Sequence, residues 1–156
     1  MKEAFDLSVQ ELKRVDHLFW VSLKYTRTVD MIKHVLERIV SCMDYGFEAL
    51  LKYAKDKKLV ANIPLNAGLR TELLKKTFAD NAVLLDYINF YTRTRKLTKS
   101  EYTKREEFRR HVTMIAVIDK GEVVEVSIDT LKENYEYLRG FVTFVKKTIY
   151  EEKDEY

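Results

Sequence analysis

The run Val112-Thr113-Met114-Ile115-Ala116-Val117-Ile118, followed by Asp119-Lys120-Gly121-Glu122 and then by Val123-Val124-Glu125-Val126-Ser127-Ile128, interrupts a chain whose other apolar residues recur at helical spacing. Two β-favouring runs around a short turn that contains glycine read as a hairpin, with Gly121 expected at a positive φ that a branched residue resists. The fold class expected is mainly α: an up-and-down helical bundle of four to five helices with a short inserted β-hairpin at about 112–127.

Upstream of the hairpin, Ser8 with Glu11 three residues later has capping-box spacing, and Val9, Leu12, Val15, Leu18 or Phe19, and Leu23 continue a first helix to about 24–27. Thr28 is placed to cap a second helix carrying Val29, Ile32, Val35, Leu36, Ile39, Val40, Met43, Phe47, Leu50, Leu51 and Ala54, a stripe wide enough for a core element. Asn62, Pro64 and Asn66 mark a connection between 55 and 66. Leu69 to Tyr91 fits one long helix or two short ones with a break near Asp80-Asn81. Thr98 and Glu101 repeat the capping-box spacing, so a further helix is expected to begin at Lys99 and to carry the basic residues. After the hairpin, Asp129 or Thr130 opens a last helix with Leu131, Tyr135, Leu138, Phe141 or Val142, Val145 and Ile149, and the acidic tail from 151 to 156 is expected to fray.

Composition supports this reading and removes several function classes. A hydrophobic fraction of 46% beside 34% charged residues, with four Gly and one Pro, describes one helix-rich domain spanning 1–156. The longest apolar run, from Val112 to Ile118, is far shorter than the ~18 to 20 residues of a membrane helix, so no membrane role is expected. The opening sequence lacks a secretory pattern and the single Cys42 has no partner for an internal disulfide, so a cytoplasmic location is expected. Cys42 reads as a core residue. Gly46, Gly68, Gly121 and Gly140 are too scattered for a phosphate-binding loop. No cofactor is expected.

Charge is distributed unevenly. From Tyr91 to His111 there are eight Lys or Arg against three Glu, a net of +5 in a chain whose total is +3, so the remainder is slightly acidic. A cationic segment that also carries an imidazole suits a phosphate-bearing partner such as RNA. Arg93, Arg95, Lys96, Arg109 and Arg110 are the candidate RNA-binding residues. Tyr87, Phe90 and Tyr91 lead into this segment and are placed either to stack bases or, as most aromatic residues do, to fill the core. His34 lies four residues after Asp30 and three before Glu37, but the order is the reverse of the bundle Glu-x-x-His motif and no second copy exists, so no metal site is expected. Asp16 and His17 are neighbours pointing about 100° apart on a helix and do not form a pair.

Within the basic segment, Arg105-Glu106-Glu107-Phe108-Arg109-Arg110-His111 places an Arg and a His with five residues between them, late in a small helical bundle. This resembles the HEPN domains, whose signature is Arg, four to six arbitrary residues, then His. The resemblance implies a HEPN-like domain over most of the chain, with Arg105 and His111 as catalytic residues of a metal-independent endoribonuclease, possible in a toxin setting. In that family Arg and His from two subunits meet at a dimer interface, which implies a homodimer. Other members are non-catalytic partners of minimal nucleotidyltransferases. Here Glu106 follows the Arg where a small polar residue is common, and the hairpin follows the His directly.

The residue types suit the chemistry: an imidazole to take the 2′-hydroxyl proton and a guanidinium for the developing phosphorane charge. On one continuous helix, however, six residues separate the pair by roughly 9 Å and turn them about 120° apart, so either the helix breaks before His111 or a second subunit completes the site. The bland alternative is a solvated basic helix in which Glu107 pairs with His111 and Arg105 shares a face with Arg109. Two function classes therefore stand: an RNA-binding protein or ribonuclease, and a non-catalytic helical interaction module.

Overall fold

The computed structural model of the protein describes residues 1–154. Helix α1 (Lys2–His17) runs without a break into a π-helical turn (Leu18–Ser22) and a final α-helical turn, α2 (Leu23–Tyr25). This rod begins earlier than the capping-box reading places it, because Ala4 and Phe5 already pack into the core. Ser8 and Glu11 are buried helix-interior residues: Ser8 Oγ donates to the Cys42 carbonyl at 2.8 Å, and the Glu11 carboxylate pairs with Arg14 at 2.8 Å and Arg38 at 3.4 Å. Partners on the neighbouring helix satisfy both polar side chains, so neither needs a helix terminus.

Helix α3 (Val29–Asp56) is capped as expected, with Thr28 Oγ1 accepting from the Met31 amide at 3.2 Å. It is the central element, touching α1, α4, α5 and α6, and its expected stripe is buried except for the half-buried Val40. The following periodic stretch is two helices, α4 (Ala67–Thr77) and α5 (Ala82–Lys99), with Asn66 and Asn81 each accepting from the amide three residues on. The last helix, α6 (Ile128–Asp154), sets Tyr135 beside Phe19, Phe141 against Phe47 and Tyr150 against Phe5. It therefore runs antiparallel to α1, and α1, α3, α5 and α6 alternate in direction. Its helical backbone continues to Asp154; the last two residues of the acidic tail expected to fray lie outside the described residues. Among the described residues no helix is long and apolar enough to cross a membrane.

The inserted hairpin is present as β2 (Thr113–Ile118) and β3 (Glu122–Ser127), with Ile118 opposite Glu122 and Gly121 at φ +88°. A third strand was not expected. Glu101–Arg105, read as the first turn of a basic helix, is β1, antiparallel to β2 with Arg105 opposite Thr113. Two side chains end α5 before it: the Thr98 hydroxyl donates to the Arg95 carbonyl at 2.7 Å and the Ser100 hydroxyl to the Leu97 carbonyl at 2.8 Å. Tyr102 and Thr103 then suit an extended chain, and β2 gains a partner on its second edge. Met114, Ala116, Ile118 and Val126 form the buried face of the sheet, which packs on α3, α5 and α6.

Candidate functional site

The segment between β1 and β2 is a tight loop with two strained residues. Glu106 at φ +53° and Phe108 at φ +67° both occupy the left-handed region, which costs a non-glycine residue about 1 to 3 kcal/mol. Backbone and side-chain anchors hold them there. The Phe108 amide donates to the Arg27 carbonyl at 2.7 Å, the Glu107 carboxylate accepts from the Val29 amide at 2.9 Å, and the Val112 amide donates to the Arg109 carbonyl at 3.1 Å. Glu107 thus acts at the N-terminus of α3 beside Thr28, where a carboxylate also meets the positive end of the helix dipole. It is not the surface partner of His111 that a helical reading pairs it with.

This docking folds the Arg-x5-His motif back on itself. Arg105 at the end of β1 and His111 just before β2 both line a cleft of about 580 Å³, together with Arg27, Glu106 and Arg110. The rings of Phe19 and Trp20 in the π-helical turn form another wall. The first turn of α6 closes it, with Ser127 Oγ accepting from the Thr130 amide at 3.2 Å and Lys132 one turn further on. Neither Arg105 nor His111 is helical, and both line the same cleft of one chain.

The electrostatics are mixed but tilted towards cations. Arg27, Arg105, Arg110 and Lys132 face Glu106, Glu125 and Asp129, with the His111 imidazole among them. Arg105 is held by one nitrogen, Nη1, at 2.7 Å from Glu125, which leaves the rest of its donor fork free. Arg27 Nε is buried without a hydrogen-bond partner. An unpaired buried guanidinium donor is costly.

The other expected RNA-binding residues do not form one strip. Arg93 pairs with Glu122 at 2.9 Å and Lys96 with Asp119 at 2.9 Å, so both clamp the hairpin turn to α5. Arg95 faces the other way, into a groove of about 810 Å³ between α4 and α5 that also holds Lys75, Lys96 and Lys99. Arg109 is exposed and does not line the Arg105 cleft. The tyrosines are core residues, as the default reading has them: Tyr87 packs on Phe141, and the Tyr91 hydroxyl donates to Asp44 at 2.5 Å. Burial pushes the Asp44 carboxyl above its usual range, an effect that the Tyr91 hydrogen bond partly offsets. Exposed aromatic residues sit elsewhere, among them Trp20 and Phe108, the latter 76% exposed.

Cys42 is buried in the core, and burial pushes its thiol up to about 12, which holds it in the protonated form. Asp30 turns from His34 towards the sheet, accepting from the Tyr102 hydroxyl at 3.2 Å and pairing with Lys104 at 3.5 Å. Among the described residues no group of three or more His, Cys, Asp or Glu side chains is placed to hold a metal.

Sequence reasoning missed Arg27, Trp20 and Lys132. Trp20, the single tryptophan, sits among Leu18, Phe19, Val21 and Leu23, so it reads as one more apolar helix residue. Arg27 and Lys132 come to the cleft only because the loop docks on the turn before α3. Compared with protein-family models, with curated proteins and with solved structures, the chain matches none of them.

Proposed function

We propose that the chain is a HEPN-like RNA-binding protein that cleaves single-stranded RNA without a metal in the Arg105–His111 cleft. One observation carries the reading: His111, Arg105 and Arg110 line one concave surface together with Arg27 and the first turn of α6, and the Arg105 guanidinium uses a single nitrogen in its ion pair with Glu125. In the reaction the His111 imidazole takes the 2′-hydroxyl proton. The 2′ oxygen then attacks phosphorus as the bond to the 5′ oxygen breaks, giving a 2′,3′-cyclic phosphate and a 5′-hydroxyl end that gains its proton from solvent. Arg105 and Arg110 stabilise the extra negative charge on the phosphorane, and Arg27 with the first turn of α6 holds a flanking phosphate. Trp20 offers a face on which a base stacks.

The alternative, a non-catalytic interaction module, docking a minimal nucleotidyltransferase for example, rests on the ion pairs that occupy Arg93 and Lys96 and on the exposed ring of Phe108. A symmetric homodimer belongs to either proposal, and light scattering tests it against the 18.6 kDa of one chain. The deciding experiment incubates a labelled single-stranded RNA with excess chelator and reads both binding and product ends. Cleavage to cyclic-phosphate ends that His111→Ala abolishes while binding persists supports the ribonuclease. Neither cleavage nor binding at low salt overturns it in favour of the module.

A further inference from the structure

A second cationic groove lies between α1 and α3, independent of the cleft described above. It encloses about 390 Å³ and is lined by Gln10, Lys13, Arg14, His17, Leu18, His34 and Arg38. Spacing gives neither histidine a role, because His34 with Asp30 and Glu37 does not make a metal motif and His17 does not pair with Asp16. The antiparallel pairing of α1 with α3 puts both on one surface among three permanent cations.

The organisation of this groove comes from underneath. Glu11 has a side chain only 7% exposed, and its two oxygens hold Arg14 Nη1 at 2.8 Å and Arg38 Nη1 at 3.4 Å. One buried carboxylate therefore fixes two guanidinium groups on neighbouring helices while using a single nitrogen of each. The remaining N–H groups of both forks stay available at side-chain exposures of 52% and 36%. The acids near in sequence do not line the groove: Asp16 accepts from the Tyr135 hydroxyl at 2.6 Å, Asp30 pairs with Lys104 at 3.5 Å, and Glu37 is likewise outside the lining. Lys13, Arg14 and Arg38 against Glu11 leave a net of +2, and each imidazole adds at least one N–H donor in either protonation state.

We propose that the α1–α3 groove binds a phosphate group, with the Arg14 and Arg38 forks on its oxygens and Lys13, His17 and His34 completing the shell. Two forks, a lysine and two imidazoles supply more donors and positive charge than a single carboxylate uses, and suit the three oxygens and double charge of a phosphomonoester. Such a group has two sources, a small phosphorylated metabolite or the 5′ end of an RNA.

The test follows the ring signals of His17 and His34 by NMR as inorganic phosphate, uridine 5′-monophosphate and a short RNA with either a 5′-phosphate or a 5′-hydroxyl are titrated in. The proposal expects saturable shifts with all phosphomonoesters and none with the 5′-hydroxyl RNA. Losing one charge-assisted bond through Arg38→Gln or Lys13→Gln should weaken binding by about tenfold, while Lys146→Gln, an exposed charge on α6, should not. Tighter binding of 5′-phosphate RNA than of the mononucleotide assigns the site to RNA ends, and equal binding assigns it to small molecules. Both outcomes support the site. Shifts that do not saturate, or that survive Lys13→Gln and Arg38→Gln unchanged, overturn it. Because His111 is not followed, failure here leaves the ribonuclease proposal standing.

Discussion

Replacing Glu107 with Ala removes the carboxylate that accepts from the Val29 amide at 2.9 Å, the contact that ties the β1–β2 loop to the start of α3. The side chain is 24% exposed, so it is neither a free surface group nor a fully buried charge. A hydrogen bond to a charged acceptor contributes about 1.5 to 3 kcal/mol, part of which is the favourable meeting of carboxylate and helix N-terminus. Partial exposure and the remaining Thr28 cap argue for the middle of that range, about 2 kcal/mol. For a domain of this size that corresponds to a fall of about 4 to 8 °C in Tm, read by circular dichroism. Glu107→Gln keeps an acceptor oxygen without the charge and should lose about half as much. The strained residues Glu106 and Phe108 lose their anchor together, so RNA cleavage should fall in Glu107→Ala even below its Tm. A Tm within about 1 °C of wild type would refute the reasoning, because the loop would then be held by something other than this cap.

Other positions respond to different physics. Gly46→Ala drives a Cβ into the buried Phe141 ring and should destabilise by about 3 kcal/mol in urea unfolding; a neutral variant would show that α3 and α6 pack further apart. Gly121→Val meets no neighbour but must adopt φ +88°, so it should cost about 1 to 3 kcal/mol, and an unchanged midpoint would rule out the left-handed turn. Cys42, with its thiol pushed up to about 12, should react with a thiol reagent only as fast as the protein unfolds, and rapid labelling under native conditions would contradict its burial. Burial holds the Asp44 carboxyl above its ordinary 3.8, so its contribution to stability is fully present below that value and is lost as pH rises through the folded one. Asp44→Asn keeps the acceptor for Tyr91 without this loss, so its stability relative to wild type should increase as pH rises from about 4 towards neutrality; a constant difference would contradict the direction of the shift.

Much of the fold is legible because its signals are local or periodic. The α3 stripe, the Thr28 cap, the break at Asn81, the hairpin around Gly121 and the buried positions of α6 all follow from residues within a few positions of one another. The errors share one cause. Ser8-Glu11 and Thr98-Glu101 both have capping-box spacing, yet Ser8 and Glu11 are satisfied by α3, and Glu101 is taken by a strand that needs β2 as its partner. Spacing alone cannot distinguish a helix terminus from a polar residue paired across the core. The candidate site shows the same division. Arg105 and His111 stand out by residue type, whereas the loop that brings them to one cleft depends on Glu107 and Phe108 reaching the α2–α3 turn, a contact 78 residues away in the chain.

The central claim is that one chain assembles Arg105 and His111 into a single cleavage site. It is tested by mixing an inactive Arg105→Ala protein with an inactive His111→Ala protein and measuring cleavage of single-stranded RNA in chelator against the wild type. With both residues needed in the same cleft, no mixed assembly contains an intact site, and activity should stay at the level of the separate variants. Recovery of cleavage on mixing would mean that the two residues act across subunits, and a wild type with no cleavage at all would contradict the site itself.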